Sequence, residues 1–138
     1  MKAVEIMSTP AVSVTARTSV RRAAILLREH GFSALPVIDH LGTLVGVVSE
    51  ADLIKDRFAG DADAARELPA QSVGEVMTSS PASVEQAASL ETIAEAMTTG
   101  RRRSIPVVDG TRLVGVISRS DILRVLARGD AQLALDIR

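Results

Sequence analysis

The sequence repeats itself, and this internal repeat limits the possible folds more than any other feature. Ala34–Asp39 (ALPVID) matches Ser104–Asp109 (SIPVVD), and Leu44–Ser49 (LVGVVS) matches Leu113–Ser118 (LVGVIS). The stretch Met-Ser-Thr-Pro near the N-terminus has a counterpart at Met77–Pro81, which is one residue longer. Because these landmarks recur in the same order, we interpret the chain as two copies of one structural unit.

The repeat divides the chain into four parts. Residues 1–58 form the first repeat and residues 73–128 form the second. Between them, residues 59–72 are rich in Ala, Asp and Gly, which is typical of a linker, and we expect a short helical turn at 62–68. Residues 129–138 form a C-terminal tail that has no counterpart in the first repeat.

Each repeat is predicted to contain a strand, a helix, a two-stranded hairpin and a second helix, in that order. The predicted strands are Val12–Val14, Leu35–Ile38, Leu44–Val48, Ala82–Val84, Ile105–Val108 and Leu113–Ile117. The first helix of each repeat carries apolar residues three and four positions apart. These residues are Val20, Ala23, Ala24 and Leu27, then Leu90, Ile93, Ala94 and Met97. Gly31 and Gly100 follow these helices, where a left-handed residue is favoured. The second helices begin at Ser49 and Ser118.

The size of one repeat explains why two are needed. A unit of about 55 residues buries only about 60% of the surface that its unfolded chain exposes, so it is marginally stable alone. Two related units that pack on each other would share the missing burial. We therefore predict an α/β fold in which tandem β-α-β-β-α repeats pack sheet to sheet as a pseudo-twofold pair.

The composition excludes several classes of function. The net charge is −1 at pH 7 and the aromatic residues are two Phe, which disfavours nucleic-acid binding. Cysteine is absent and the two histidines form no ligand cluster, so we expect no metal site. No apolar run approaches the roughly 20 residues of a membrane-spanning helix, and Glu5 interrupts any signal-peptide core. We expect a cytoplasmic protein without nucleic-acid or membrane partners.

Three motifs, each present twice, resemble those of the CBS-domain pair, also called a Bateman module, in a stand-alone bacterial form. They are a Met-Ser/Thr-x-x-Pro start, an x-x-Pro-Val-Val/Ile-Asp strand, and a Leu-Val-Gly-Val-Val/Ile-Ser-x-x-Asp turn from strand to helix. The first repeat departs slightly at its start, where Pro10 comes one residue early. The resemblance implies binding of AMP, ADP, ATP, S-adenosylmethionine or a related adenosyl ligand, and it implies a homodimer.

The resemblance also implies which residues hold the ligand. The acids that follow the third strand, Asp52 and Asp121, would hold ribose hydroxyls, and Ser49 and Ser118 would reach the phosphate. The adenine would be framed by backbone at Val14, Ala34, Pro36, Val84, Ser104 and Pro106. Arg103 would contact phosphate. The free N–H groups at the start of a helix favour anions, which is compatible with these roles.

Two of these features also have a purely structural explanation. Ser49-x-x-Asp52 and Ser118-x-x-Asp121 have the residue types of a helix capping box. Arg103 could equally be a solvated loop charge. The first repeat has no basic residue three positions before its Pro, where the second has Arg103, so we expect one tight ligand site and one weak or empty site.

The function predicted from the sequence is a regulatory sensor of adenosine nucleotides, as in energy sensing, rather than an enzyme. Because we find no output domain in the sequence, the signal would pass in trans to an effector protein. One alternative is a ligand-free scaffold that only dimerises or binds partners. A third possibility is an enzyme in which Asp52 or Asp121 acts as a general base.

Overall fold

The computed structural model describes residues 1–58 and 70–128. The predicted tail at 129–138 and the helical turn expected at 62–68 lie outside these residues. The helices are α1 (Ala3–Ile6), α2 (Val20–His30), α3 (Glu50–Phe58), α4 (Leu90–Thr99) and α5 (Arg119–Ala127), with a 3-10 turn at Val73–Glu75. The strands are β1 (Ala34–Ile38), β2 (Leu44–Ser49), β3 (Thr78–Ser79), β4 (Val84–Glu85), β5 (Ser104–Asp109) and β6 (Arg112–Ser118).

The named strands form two three-stranded sheets, with the orders β1-β2-β3 and β4-β5-β6. Strand β2 pairs antiparallel with both β1 and β3, whereas β4 runs parallel to β5. Where one repeat has a paired strand, the other has an isolated β-bridge at the equivalent position. Val14 pairs in parallel with Val37, as β4 does with β5, and Ser8 pairs antiparallel with Val116, as β3 does with β2. The predicted α/β fold with two related repeats is confirmed.

The short first strand of each repeat differs from the prediction. The predicted strand Val12–Val14 is reduced to a single bridge at Val14, and the predicted strand Ala82–Val84 is displaced to Val84–Glu85. Only Val14 and Val84 are buried in these stretches, at 5% and 6% exposure. Each stretch therefore packs into its core through one side chain. The hairpin strands match their predicted positions and extend one residue further at one or both ends.

The chain folds into two compact units that do not follow the order of the repeats. Unit A takes its described residues from Val12–Pro81 and Thr111–Leu113. Unit B takes its described residues from Met1–Ala11, Ala82–Gly110 and the stretch that begins at Val114. The leading segment of each repeat therefore packs with the other repeat.

Two glycines make room for these exchanged segments. A Cβ atom on Gly115 would lie 2.5 Å from the Sδ atom of Met7. A Cβ atom on Gly46 would lie 2.7 Å from the Sδ atom of Met77 and 2.9 Å from the carbonyl oxygen of Thr78. Real Cβ atoms do not approach other atoms so closely, so both strands need glycine where the leading segment crosses them.

Each unit has its own apolar core, and each core includes residues of an exchanged segment. The core of unit A consists of Val14, Val20, Ala23, Leu27, Leu35, Val37, Val48, Leu53, Ala70 and Val73. The core of unit B consists of Ala3, Ile6, Val84, Ile93, Met97, Ile105, Val107, Ile117 and Val125. Ala70 lies just before the second repeat and Val73 at its start, but both pack in unit A, whereas Ala3 and Ile6 lie at the start of the first repeat but pack in unit B.

The first helix of each repeat buries a narrower stripe than predicted. The buried positions are Val20, Ala23 and Leu27 in α2 and Ile93 and Met97 in α4. Ala24 and Ala94, at i+4, are exposed. Gly31 ends α2 in the left-handed conformation, at φ +67°, as expected. Gly100 was predicted to do the same after α4 but has φ −91° and is right-handed, and the positive φ passes to Arg101 at +53°.

Candidate functional site

The first candidate site lies in unit A, where strand β2 ends and helix α3 begins. The backbone N–H of Ser49 donates to Oδ2 of Asp52 at 2.8 Å, and the backbone N–H of Asp52 donates to Oγ of Ser49 at 3.0 Å. This reciprocal pair is a helix capping box. The structural explanation of the Ser-x-x-Asp sequence therefore holds in the first repeat, and it fixes both side chains at the start of α3.

The predicted adenine-framing residues of the first repeat lie on the same sheet. Ala34 is the cross-strand partner of Ser49. The N–H of Val14 donates to the carbonyl of Pro36 at 3.0 Å, and the N–H of Ile38 donates to the carbonyl of Val14 at 2.8 Å. Backbone hydrogen bonds thus connect Val14 to strand β1 at Pro36. The pairing of Ala34 with Ser49 places Ala34 beside the start of α3.

The carboxylate of Asp52 retains free bonding capacity. The side chain is half-buried, and its Oδ2 atom accepts the Ser49 N–H. Within residues 1–58 and 70–128, its Oδ1 atom makes no hydrogen bond and no ion pair. A half-buried carboxylate oxygen at the start of a helix can accept a hydroxyl hydrogen from a ligand.

The second candidate site lies in unit B, where strand β6 ends and helix α5 begins. Here the N–H of Ser118 donates to Oδ2 of Asp121 at 2.8 Å, and the N–H of Asp121 donates to Oγ of Ser118 at 3.2 Å. The Ser118 hydroxyl also donates to Oδ2 of Asp121 at 3.1 Å. The same capping box is therefore formed in both repeats.

The carboxylate of Asp121 is more heavily engaged than that of Asp52. The hydroxyl of Ser8 donates to its Oδ1 at 3.1 Å and to its Oδ2 at 3.3 Å. The guanidinium of Arg124 forms an ion pair with Oδ1. Asp121 is only 2% exposed, and it is the one buried charged residue in the described part of the chain. Donors of the chain itself therefore surround both carboxylate oxygens.

The other predicted residues of the second repeat lie along strand β5. Val84 on β4 pairs with Val107, which follows the buried Pro106, and Ser104 begins the strand half-buried. The N–H of Arg119 donates to the carbonyl of Arg103 at 3.0 Å, so the residue before β5 lies beside the start of α5.

The three consecutive arginines before β5 occupy different environments. Arg101 is exposed with a positive φ. Arg102 folds back on helix α4, where its guanidinium donates to the carbonyl of Ala96 at 2.9 Å. The Arg103 side chain is exposed and makes no side-chain hydrogen bond or ion pair among the described residues. Arg101 and Arg103 are therefore the exposed arginines of the three, and Arg103 is the one that directly precedes β5.

Sequence reasoning missed Ser8 and Arg124. Arg124 lies three positions after Asp121 on a predicted helix, and this spacing could have indicated the ion pair. No local signal could have indicated Ser8, because 113 positions separate it from Asp121. Its position is set by the exchange of the leading segments between the units.

Within the ranges 1–58 and 70–128, no three His, Cys, Asp or Glu side chains are grouped so that they could hold a metal ion. No helix among the described residues has the length and apolar character needed to cross a bilayer.

Comparison with known proteins shows which protein family the sequence matches. The family model described as "CBS domain" matches residues 3–58 and 73–128. The YlbB protein of Bacillus subtilis is 31% identical over 109 residues, which cover 78% of this chain and 70% of that protein. The chloroplastic CBS domain-containing protein CBSX2 of Arabidopsis thaliana is 35% identical over 130 residues, which cover 78% of this chain. The chain spans 55% of the length of CBSX2.

Two solved structures are similar over most of the chain. A crystal structure of CBSX2 in complex with AMP has a TM-score of 0.82 and 33% identity, covering 92% of this chain and 96% of that chain. A crystal structure of the CBS domain pair of MJ0100, with 5′-methylthioadenosine and S-adenosyl-L-methionine, has a TM-score of 0.78 and 25% identity. It covers 94% of this chain and 98% of that chain.

Proposed function

The chain belongs to the CBS-domain family, and on this premise we propose that it is a regulatory module that binds an adenosyl ligand and acts on a partner protein in trans. The observation that carries the proposal is the half-buried Asp52, whose Oδ1 atom is free of bonds to the described residues, at the start of α3. The proposal is also supported by the AMP, 5′-methylthioadenosine and S-adenosyl-L-methionine named in the structures of similar proteins.

The chemistry of the first repeat suits a nucleoside with a phosphate or another anionic group. Asp52 can accept a ribose hydroxyl at Oδ1, and such charge-assisted hydrogen bonds are about twice as strong as neutral ones. The N–H groups of the first turn of α3 and the hydroxyl of Ser49 favour an anion. Backbone at Val14, Ala34 and Pro36 would frame the adenine. Arg103 lies in unit B beside the start of α5, so we propose it for the phosphate of a ligand of the second repeat only.

The proposal assigns no reaction to the chain. A general base needs a lone pair that can accept a proton from the substrate. Both carboxylate oxygens of Asp121 already accept donors from Ser8, Ser118 and Arg124. Asp52 keeps a free oxygen, and we assign it to a ribose hydroxyl rather than to proton transfer. We propose instead that the ligand acts by binding one conformation more tightly than another, so that the population of that conformation rises.

A homodimer is part of the proposal and has its own support. Leu123 and Leu126, which lie three positions apart on α5, are 61% and 56% exposed. Exposed apolar side chains on helices favour self-association when they are grouped. If no adenosyl ligand binds, this same feature supports the second candidate function, a ligand-free scaffold that only dimerises. We propose the cytoplasm as the place of action, because adenine nucleotides are abundant there.

The experiment that tests the proposed function is a thermal-unfolding screen of the full chain. The ligands are AMP, ADP, ATP, S-adenosylmethionine and NAD, with GMP as the matched control for the base. A ligand present at one hundred times its Kd should stabilise the protein by about 2.7 kcal/mol. A rise in Tm with an adenosyl ligand but not with GMP is expected. No rise with any of them would reject the sensor and favour the scaffold, and product formation would reject the regulatory assignment.

A further inference from the structure

The two repeats use the same Ser-x-x-Asp box, but only one of the two acids has a free oxygen. Asp52 is half-buried and gives only its Oδ2 atom to the capping box. Asp121 is 2% exposed, and its two oxygens accept from Ser8, Ser118 and Arg124. This difference is not visible in the repeated motif, because Ser8 and Arg124 lie outside it.

The residues that engage Asp121 have matched positions in the first repeat. Ser8 pairs with Val116 on β6, and Thr78 pairs with Val47 at the equivalent position of β2. Arg124 and Lys55 both lie three residues after the acid of their own helix. Within the described parts of the chain, neither Thr78 nor Lys55 forms a side-chain hydrogen bond or an ion pair with Asp52. The first repeat thus has the same arrangement without the closing contacts.

A ribose hydroxyl could reach the Asp121 carboxylate only by displacing a group of the chain. The Ser8 hydroxyl already occupies the role of an alcohol donor, since it donates to both oxygens. The cation of Arg124 adds a charge-assisted bond to Oδ1. A ligand that displaced Ser8 or Arg124 would exchange hydrogen bonds that the chain already makes, so it would gain less at Asp121 than at Asp52. The acid of the second repeat is therefore satisfied without a ligand.

From this contrast we propose that Ser8 and Arg124 form a built-in inhibitory contact on Asp121, which restricts each chain to one adenosyl ligand, held through Asp52. This inference rests on the proposed function and deepens it, because it states how many ligands bind and through which acid. In this chain the second acid accepts hydrogen bonds from Ser8, which holds the leading segment 1–11 in unit B, instead of binding ribose.

The test counts bound ligand per chain by equilibrium dialysis. The probes are radiolabelled AMP, ATP and S-adenosylmethionine, each used separately with the full chain. Wild type should bind one equivalent. The Asp52→Asn variant should bind at least tenfold more weakly, because an amide is a poorer acceptor than a carboxylate. The double variant Ser8→Ala, Arg124→Ala should bind two equivalents, because both donors that close the second acid are removed.

Matched variants test whether the removal of any two side chains at a capping box changes the number of bound ligands. The double variant Thr78→Ala, Lys55→Ala removes the equivalent residues of the first repeat and should still bind one equivalent. Ser8→Thr with Arg124 intact keeps the hydroxyl and should also bind one. Asp121 itself is left in place, because its removal would leave Ser8, Ser118 and Arg124 without their common acceptor. If the double variant at Ser8 and Arg124 does not fold, the Asp52→Asn result decides alone.

The outcomes separate this inference from the function on which it rests. Two equivalents in wild type, or an Asp52→Asn variant with unchanged affinity, would overturn the inference and leave the sensor intact. A folded Ser8→Ala, Arg124→Ala variant that still binds one equivalent would also overturn it. Absence of binding by all three probes would overturn the proposed function, and the inference with it.

Discussion

The hydroxyl of Ser8 donates to both carboxylate oxygens of Asp121, at 3.1 and 3.3 Å, although 113 positions separate the two residues in the chain. This contact follows from the exchange of leading segments, through which residues 1–11 pack in unit B and residues 70–81 pack in unit A. Neither repeat therefore contains all the residues of its own core.

The two crossing glycines should not tolerate a methyl group. In Gly46→Ala the new Cβ would lie 2.9 Å from the Thr78 carbonyl, and in Gly115→Ala it would lie 2.8 Å from Cγ of Met7. Overpacking of this kind costs about 1–3 kcal/mol. Urea denaturation should show that loss of unfolding free energy in each variant.

Gly100→Ala is the matched control for these substitutions. Its Cβ would meet only the flexible end of the Arg102 side chain, and its φ of −91° suits any residue. A smaller loss than in the two strand glycines is expected. Equal stability losses at all three positions would contradict the importance of the segment crossings.

The capping serines should separate structure from binding. Ser49→Ala and Ser118→Ala each remove an acceptor for a helix N–H, which should lower stability by about 0.5–2 kcal/mol. Because we assign the ligand to the first repeat, Ser49→Ala should also weaken binding of AMP, whereas Ser118→Ala should lower stability alone. Urea denaturation measures the stability of each variant, and calorimetric titration measures its affinity for AMP. Weaker AMP binding by Ser118→Ala but not by Ser49→Ala would contradict the assignment of the ligand to the first repeat.

The Asp39 carboxylate should make the hairpin of unit A sensitive to acid. Hydrogen bonds from the backbone N–H groups of Thr43 and Leu41 hold the pKa of Asp39 below its usual value. Because the folded pKa is the lower one, the stabilisation is complete above the usual pKa of about 3.9. It is lost as the pH falls through the folded pKa. Asp39→Ala should lower Tm at pH 7, and the difference from wild type should shrink below about pH 4.

Asp109 offers the matched control for that hairpin. It occupies the equivalent turn, but Gly110 there donates to Oε1 of Glu85 at 3.2 Å instead. Asp109 makes no side-chain hydrogen bond in the part of the chain that the structure describes. Asp109→Ala should leave Tm nearly unchanged at both pH values, and a loss equal to that of Asp39→Ala would refute the explanation.

Substitutions of two adjacent arginines should have different effects on stability. Arg102→Ala removes the bond to the Ala96 carbonyl near the end of α4, so it should lower stability by about 0.5–1.5 kcal/mol. Arg103 makes no side-chain hydrogen bond or ion pair among the described residues, so Arg103→Ala should leave Tm unchanged. Thermal unfolding of both variants checks this, and an equal loss of Tm in the two would contradict the different environments of these arginines.

The sequence predicted those parts of the fold that depend on local patterns. The hairpins follow from β-rich runs joined by turn residues, and the capping boxes follow from Ser and Asp at a spacing of three. The exchange of leading segments could not be predicted, because it depends on contacts such as that of Met7 with Gly115. The prediction of a left-handed Gly100 was wrong, and the glycine there instead leaves room for the Arg102 side chain, which no glycine pattern reveals.

The candidate site was predictable to a similar extent. The motif indicated Asp52 and Asp121 as equivalent acids, and the structure places both at the start of a helix. Their inequivalence depends on Ser8, which reaches Asp121 from the opposite end of the chain. A repeated motif records the residues that two halves share, so it cannot show a contact that only one half makes.

The most direct test of the account is a crystal structure of the protein with the ligand that raises its Tm most. We predict a ribose hydroxyl at hydrogen-bond distance, about 2.5–3.0 Å, from Oδ1 of Asp52, with Ser8 still bonded to Asp121. A ligand bound at Asp121 with Ser8 displaced, or bound without any contact to Asp52, would contradict the account.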